Sequence, residues 1–359
     1  MKNNRINQVE PLILEDDIKS VVKYLDSGGW ITENKISFEF ENNISNYVNR
    51  KFGILVPNGT IALYLALLSL GVGPGKKVAV PNITMIATIN SIIWTGASPV
   101  IVDIDESLCI SLEKLKTLKN IHTVIFVPLN GRVGNGKEVE KYCKENNIFL
   151  LEDSAHALGS EYEHKKCGSL GDLSTFSFTP HKIITTGQGG MILTDKTKYK
   201  KIIDELKYFN RLKDKSDWHK GFGLNFKFTD LQAALGISQF NKLERFIKNK
   251  KNNEILYEQL INNKNLVFGK FKINEIPWFF DVKFSNVKLK NIAIKKLLDS
   301  NIETREVYPP LSMQKYLKNV EKTNTTYSEK ISKKLLWLPS SNNLNKNQIK
   351  RISNILNNL

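Results

Sequence analysis

Short runs of apolar and β-branched residues alternate with helical patterns through the first two-thirds of the chain, and this alternation limits the possible folds more than any other feature. The strand-like runs lie at 51–57, 77–80, 99–102, 123–127 and 148–152, with shorter ones at 176–178 and 190–194. Helical stretches separate several of them, at 61–70, 85–95 and 137–146. Because parallel strands need a crossover connection, usually a helix, the pattern predicts an α/β fold with a mostly parallel sheet covered by helices.

The pattern changes after Thr229. One long, bent helical stretch is predicted over 230–260, followed by a strand at 278–284 and helices at 290–300 and 345–358. A chain of 359 residues is longer than one hydrophobic core usually covers. We therefore predict a large domain over 1–240 and a smaller C-terminal α/β domain over 241–359.

The chain is strongly basic, with a formal net charge of +16. Its lysines and asparagines are scattered, and no arginine-rich stripe alternates with aromatic residues. A solvated surface therefore explains the charge better than a nucleic-acid partner does. A smaller part of the charge is expected to attract anionic substrates.

Neither a metal centre nor a membrane partner is expected. Cys109, Cys143 and Cys167 are far apart and form no CxxC pair, which argues against a disulfide framework or a zinc site. The N-terminal segment lacks the apolar core of a signal peptide, and apolar stretches such as 63–70 are too short to span a bilayer. A cytoplasmic enzyme fits these observations.

Three polar groups are predicted to lie beyond the carboxyl ends of strands, where α/β proteins bind their ligands. The first is Asn58, Gly59 and Thr60, which follow a strand and open a helix. The free N–H groups and positive dipole end of that helix would favour a phosphate. From these residues alone, a simple helix N-cap at Thr60 explains the segment at least as well.

The other two groups are Asp153 and Lys182. Asp153 ends a buried-looking run and needs a partner, which a protonated ring nitrogen or a helix cap would supply, and the local residues favour the cap. Lys182 precedes three glycines within 187–190, which imply a close approach of the backbone to another group. A lysine on a turn is most often solvated, so the local sequence leaves both interpretations of Lys182 open.

Taken in order along the chain, these segments resemble the DegT/DnrJ/StrS-type aminotransferases of sugar-nucleotide biosynthesis. That family has the fold-type I architecture of enzymes that depend on pyridoxal 5'-phosphate. The resemblance extends over nearly the whole chain, and the segments that carry it lie at 25–32, 57–63, 81–88, 96–100, 152–157, 182–190, 223–234, 304–305 and 338–339. It implies pyridoxal 5'-phosphate as cofactor, with pyridoxamine 5'-phosphate formed during the cycle.

The resemblance implies a catalytic role for three residues. Lys182 would hold the cofactor as a Schiff base and later move a proton between the cofactor and the substrate, which requires an amine of lowered pKa. Asp153 would pair with the pyridine nitrogen and keep the ring an electron sink. His156 lies where the family has His or Gln near the phenolic oxygen of the cofactor. A buried structural histidine is the alternative for His156.

The resemblance also implies how the cofactor phosphate is bound. Gly59, Thr60 and Ser177 would hold it within one subunit. Asn225 would reach the same phosphate from a neighbouring subunit. The resemblance therefore implies a homodimer with shared active sites.

The resemblance extends less completely to the substrate. Trp30, Ile31 and Tyr308 are the expected substrate contacts. Met85 lies where the family usually places an aromatic residue over the cofactor ring, and a thioether can also pack on that face. Ser312 replaces a histidine that is often near the sugar.

The segment 185–190 looks like the branch of the family that aminates C4 of 4-keto-6-deoxy sugars. The predicted function is therefore C4 amination of a UDP-, GDP- or dTDP-linked 4-keto-6-deoxyhexose, with L-glutamate as donor, in bacterial glycan biosynthesis such as that of the O-antigen of lipopolysaccharide. Amination at C3 or of a cyclitol is the alternative. A sugar 3-dehydratase would carry His in place of Lys182. Because His181 lies beside Lys182, a shift of one residue in the alignment would exchange their roles. A non-enzymatic binding protein is the remaining class.

Overall fold

The computed structural model describes residues 5–212, 214–215 and 217–359. Its helices are α1 Glu15–Asp26, α2 Lys35–Tyr47, α3 Gly59–Ser69, α4 Ile86–Trp94, α5 Leu112–Leu115, α6 Gly136–Glu145, α7 Thr197–Lys207, α8 Asp230–Phe240, α9 Leu243–Leu260, α10 Val287–Asp299, α11 Thr326–Ser332 and α12 Lys346–Asn357. Its strands are β1 Phe52–Val56, β2 Lys77–Pro81, β3 Ser98–Val102, β4 Thr123–Phe126, β5 Phe149–Asp153, β6 Glu161–Tyr162, β7 Lys165–Lys166, β8 Leu173–Ser177, β9 Gly190–Thr194, β10 Leu266–Phe268, β11 Asp281–Phe284, β12 Arg305–Glu306, β13 Glu321–Lys322 and β14 Leu335–Trp337.

The first sheet has eight strands in the order β1-β9-β8-β5-β4-β2-β3-β13. The pairs from β8 through β5, β4, β2 and β3 to β13 are all parallel. Strand β9 runs antiparallel to both of its neighbours, β8 and β1. The predicted mostly parallel sheet is confirmed, and its parallel strands direct their carboxyl ends to one edge.

Both faces of this sheet are buried. Successive strand residues point to opposite faces, so Leu150 and Leu151 of β5 belong to two different hydrophobic clusters. Leu151 packs in the cluster that contains the apolar residues of α3 and α4, and Leu150 packs with Val139 and Cys143 of α6. Helices on both faces explain why the strands of this sheet are almost continuously apolar.

The second sheet is smaller, with the order β10-β11-β14-β12 and antiparallel pairing throughout. It shares a hydrophobic cluster with residues of α9, α10 and α12. Ile6 forms a bridge to Ile302 and joins this cluster, and β13 returns to pair with β3 of the first sheet. An N-terminal residue thus belongs to the core of the second sheet, and a strand from the C-terminal part of the chain belongs to the first sheet. The domain boundary at residue 240 stays a prediction.

The single helix predicted over 230–260 is two helices, α8 and α9. Between them, the Lys242 N–H bonds to the Gln239 carbonyl, which tightens the last turn of α8. The Asp17 carboxylate of α1 accepts hydrogen bonds from Ser238 at 2.7 Å, Gln239 at 2.8 Å and Lys242 at 2.7 Å. These hydrogen bonds stabilise the junction between α8 and α9.

The strand predicted over 278–284 begins only at Asp281. The Trp278 and Phe279 backbones bond instead to Asn130, whose side-chain oxygen accepts from the Phe279 N–H at 2.6 Å and whose amide donates to the Phe279 carbonyl at 2.7 Å. A side chain thus takes the place of a neighbouring strand at this point. Among the described residues, no helix combines the length and apolarity needed to cross a membrane.

Candidate active site

A cavity of about 580 Å³ opens where the parallel strands of the first sheet end. Segments that follow β1, β2, β4, β5 and β8 form one side of it, and residues near β11 and β12 of the second sheet form the other. The sequence-predicted residues that line it are Gly59, Thr60, Met85, Asp153, His156, Ser177, Lys182 and Tyr308.

Asp153 is the last residue of β5, and its side chain is 5% exposed. Thr88 Oγ1 donates to Asp153 Oδ2 at 2.9 Å, and the Ala155 N–H donates to Oδ1 at 3.3 Å. Burial raises the pKa of Asp153, whereas the Thr88 hydrogen bond and the charge of Lys182 lower it. A buried carboxylate with two donors is best stabilised by a cation in the cavity.

Thr88 is oriented by a second threonine. Thr84 and Thr88 are four residues apart, and their hydroxyl oxygens are 2.9 Å apart. Because the single hydroxyl hydrogen of Thr88 goes to Asp153, Thr84 must donate to Thr88. This relay fixes the Asp153 carboxylate without supplying a positive charge.

Lys182 lies on the turn between β8 and β9, where its N–H bonds to the Thr179 carbonyl at 3.0 Å. Its Nζ is 4.3 Å from the centre of the Trp278 ring. Burial lowers the pKa of Lys182 to about 7, the Asp153 charge raises it, and the Arg305 charge lowers it. A large fraction of the amine is therefore neutral, and nucleophilic, near neutral pH.

His156 stacks on the Trp278 ring, with ring centres 3.8 Å apart and an angle of 13° between the planes. The Tyr308 hydroxyl oxygen is 3.5 Å from His156 Nε2. Burial, followed by the charges of Lys182 and Arg305, holds the pKa of His156 well below its usual range, so the ring is neutral. Within the described part of the chain, buried His156 Nδ1 has no hydrogen-bond partner.

The N-terminus of α3 forms a small cradle at the edge of the cavity. Asn58 caps the helix by accepting from the Ile61 N–H at 3.0 Å, and no described residue accepts from the N–H groups of Gly59 and Thr60. A methyl group on Gly59 would lie 3.0 Å from Ser177 Cβ, so glycine lets the helix approach that hydroxyl. Free N–H groups beside a serine hydroxyl are suited to a phosphate.

Three predicted residues do not line the cavity. Asn225 is exposed and bridges to Tyr208. Trp30 and Ile31 are 69% and 56% exposed. The described residues of one subunit therefore bring neither Asn225 nor the segment with Trp30 and Ile31 to the cavity.

Met85 and Ser312, the two residues that depart from the family pattern, lie in different surroundings. Met85 lines the cavity and is 43% exposed. Ser312 is absent from the cavity lining and belongs to a polar network, in which its hydroxyl donates to Glu329 at 2.7 Å and accepts from the Asn82 amide at 3.0 Å.

Sequence reasoning assigned no role to Thr84, Thr88, Trp278 or Arg305, which the structure brings to the cavity. Thr84 precedes α4, which begins at Ile86, so helical spacing did not link it to Thr88. Nothing in the local sequence distinguishes Trp278 from a core residue.

Residues 11–357 match the DegT/DnrJ/EryC1/StrS aminotransferase family. The chain belongs to this family. A GDP-perosamine synthase of Escherichia coli O157:H7 is 32% identical over 362 residues, covering 97% of this chain and 96% of the relative. A GDP-perosamine synthase of Vibrio cholerae is 32% identical over 365 residues, covering 97% of each protein.

The fold agrees with this assignment. Spr1654 of Streptococcus pneumoniae, solved in a PLP-form, superposes with a TM-score of 0.91 at 25% identity, covering 99% of this chain and 98% of that structure. The chain is thus a pyridoxal-phosphate-dependent aminotransferase of fold type I.

The residues of the cavity fit this cofactor. Asp153 provides an under-satisfied carboxylate, His156 provides an unpaired ring nitrogen, and the α3 N-terminus with Ser177 provides a phosphate cradle. When bound, pyridoxal 5'-phosphate supplies a carbonyl carbon and an electron sink. Lys182 would hold it through Nζ, and Asp153 would face its ring nitrogen.

Proposed function

We propose that this enzyme transfers the amino group of L-glutamate to C4 of a nucleotide-linked 4-keto-6-deoxyhexose, and that the nucleotide is GDP. The observation that carries the proposal is the full-length similarity to two GDP-perosamine synthases at 32% identity. In the reaction the C4 keto oxygen is replaced by an amino group, and L-glutamate becomes 2-oxoglutarate.

The side chains of the cavity support this chemistry. The Lys182 amine, with its pKa lowered to about 7, can accept a proton at the reacting carbon of one substrate and return it at the other. Neutral His156, stacked on Trp278, can hold a hydrogen bond to the cofactor without adding a second charge next to Lys182. Asp153, oriented by Thr88, can balance a protonated ring nitrogen.

The test is a panel of GDP-, UDP- and dTDP-linked 4-keto-6-deoxyhexoses incubated with the purified enzyme and L-[15N]glutamate. We expect 15N in the sugar product, with the largest kcat/KM for the GDP-linked substrate. Placement of the nitrogen at C4 is read by NMR. Nitrogen at C3, or no labelled sugar from any substrate in the panel, would contradict the proposal. Lys182→Ala is the negative control.

We also propose that the active unit is a homodimer in which Asn225 reaches the cofactor phosphate of the partner subunit. The support is that Asn225 is exposed and outside the cavity of its own subunit, while Trp30, Trp218 and Phe222 expose large apolar surfaces. Mixed dimers of Lys182→Ala with an Asn225→Arg variant should regain activity, because one of the two sites then carries neither substitution. Absence of any regain would exclude shared sites.

The cytoplasmic location stays a prediction.

A further inference from the structure

Glu33 and Lys207 form a buried ion pair outside the lining of the active-site cavity. Each side chain is 1% exposed, and Lys207 Nζ donates a hydrogen bond to Glu33 Oε1. The Tyr208 hydroxyl donates to the second oxygen of the same carboxylate. Burying an ion pair costs desolvation, and well-packed apolar residues in its place are often as stable or more stable. The pair therefore points to a role in positioning rather than in stability alone.

The end of α7 contacts the backbone around Asn225. Tyr208 forms a β-bridge to Asn225, and the Phe226 N–H donates to the Lys207 carbonyl at 3.2 Å. The two residues that bind the Glu33 carboxylate with their side chains thus hold the Asn225 segment with their backbones.

Glu33 contacts the same segment from its other end. The Glu33 N–H donates to the Phe228 carbonyl at 3.2 Å, three residues after Asn225. The side chain of Glu33 then returns to Lys207 and Tyr208. The carboxylate therefore closes a ring of contacts that contains Asn225. A segment bonded on both sides has less conformational freedom than one bonded at a single point.

Glu41 is a second carboxylate near Lys207. Burial raises the pKa of Glu41 to about 7, and the charge of Lys207 lowers it. The Glu41 side chain accepts from the Leu55 N–H at 2.7 Å and so is bonded to β1, not to the Asn225 segment. Because Glu41 can still balance the charge of Lys207, loss of Glu33 is expected to open the ring without unfolding the chain.

We propose that Glu33 is a positioning residue, which through Lys207 and Tyr208 holds Asn225 where it reaches the cofactor phosphate of the partner subunit. The inference rests on the proposed function, in which Asn225 completes the site of the other subunit. An amide on an exposed segment binds a phosphate well only if its backbone is already fixed, since a mobile segment would lose conformational entropy on binding. Glu33 supplies this order from outside the cavity.

The test compares two probes that differ only in the phosphate. Full-length enzyme freed of cofactor is titrated with pyridoxal 5'-phosphate and with pyridoxal, and each Kd is read from the absorbance. Glu33→Ala should raise the Kd for pyridoxal 5'-phosphate by about 3- to 30-fold and leave that for pyridoxal within about twofold. Glu33→Gln keeps the shape and one hydrogen-bond acceptor, so its Kd should lie between those of wild type and Glu33→Ala. It carries the test if the alanine variant does not fold.

Asn225→Ala separates this inference from the shared-site proposal. It should raise the Kd for pyridoxal 5'-phosphate by about 10- to 100-fold. The double variant Glu33→Ala/Asn225→Ala should bind no more weakly than Asn225→Ala, because Glu33 acts through Asn225. Unchanged binding in Asn225→Ala would overturn the shared-site proposal and this inference with it. Weakened binding in Asn225→Ala but not in Glu33→Ala would overturn this inference alone.

Glu138→Ala is the matched control, because Glu138 is an exposed carboxylate on α6 that makes no ion pair with any described residue. It removes the same charge and should change neither Kd. An equal loss of pyridoxal and pyridoxal 5'-phosphate binding in Glu33→Ala would indicate general damage to the site and would also overturn the proposal.

Discussion

The floor and the rim of the active-site cavity are built differently. The floor, formed by Thr88, Asp153, His156 and Trp278, is buried and held by the threonine relay and ring stacking. The rim, formed by Met85, Trp94 and Arg305, also lines the cavity, but its side chains are exposed. The difference indicates that the floor is organised before any ligand binds, whereas the rim side chains leave surface available for a ligand.

Glu152 and Asp153 show what organisation of the floor requires. Glu152 faces the opposite side of β5 and accepts from Ser154, Tyr162 and the N–H groups at 168 and 170. Asp153 has two donors and faces Lys182 across the cavity. A carboxylate that is fully satisfied stabilises the fold, and one that is left partly unsatisfied can still bind a ligand.

The largest effect is expected from Lys182→Ala, which removes the amine between floor and rim. Loss of proton transfer alone should lower kcat by about 100- to 10,000-fold. The yellow absorbance of the cofactor bound as a Schiff base should disappear from the purified protein. His181→Ala should keep this absorbance. The opposite pattern would move the role to His181 and favour the dehydratase alternative.

Lys250 contacts the backbone of the floor residue Trp278, and its substitution tests how this buried amine affects stability. It is 4% exposed on α9, and its Nζ donates to the Trp278 carbonyl at 2.8 Å and to the Ser340 carbonyl. Burial lowers the pKa of Lys250 to about 7 from 10.5. Between these pH values the unfolded chain binds more protons than the folded chain, so the free energy of unfolding should rise with pH across this window.

Lys250→Met should remove the Lys250 contribution to this rise, which is on the order of a few kcal/mol. The measurement is chemical unfolding at several pH values between about 7 and 10. Lys248→Met, at an exposed position of the same helix, is the control. The contribution of Lys182 has the same sign and is common to both variants, so it cancels. Equal slopes for the two variants would show that folding does not lower the pKa of Lys250.

Thr88→Val is a smaller change to the floor, because it removes one hydrogen bond to Asp153 and keeps the shape of the side chain. Leaving the Asp153 carboxylate without this donor should lower kcat/KM by roughly 5- to 100-fold. The Thr88 hydrogen bond lowers the pKa of Asp153, so its loss should raise that pKa and move the acid limb of the kcat/KM profile to higher pH. Thr88→Ser should restore the wild-type profile. A uniform loss at all pH values would contradict this role.

Within the floor, Asp153 and His156 were easier to predict from sequence than Thr88 and Trp278. Asp153, His156 and Lys182 lie in segments that resemble motifs of the family, and this resemblance assigned roles that the local residues alone had left open. Thr88 contacts Asp153 from 65 residues earlier in the chain. Trp278 lies in the segment before β11 of the second sheet, and it stacks on His156, which follows β5 of the first sheet. Such contacts depend on topology, which the composition of a segment does not specify.

The same reasoning explains what was predicted of the fold. The alternation of strands and helices indicated a mostly parallel sheet, but not that β9 would be antiparallel or that β13 would return to the edge of this sheet. Strand direction is decided by pairing, and the sequence of β9 is compatible with either direction. The break between α8 and α9 likewise depends on Asp17, far away in the chain.

The smallest effect is expected from Ser312→Ala, which tests whether the rim extends beyond the cavity lining. The resemblance put Ser312 near the sugar, whereas its hydroxyl bonds to Glu329 and Asn82. We expect the KM for the ketosugar to stay within about twofold and the free energy of unfolding to fall by about 0.5–1.5 kcal/mol. The Ser312 hydrogen bond lowers the pKa of Glu329, so this difference in stability should shrink as the pH falls below the usual range of a glutamate. Glu329→Gln, in the same network, should likewise leave the KM unchanged. A clear rise in KM for Ser312→Ala alone would place this residue at the substrate and extend the rim to it.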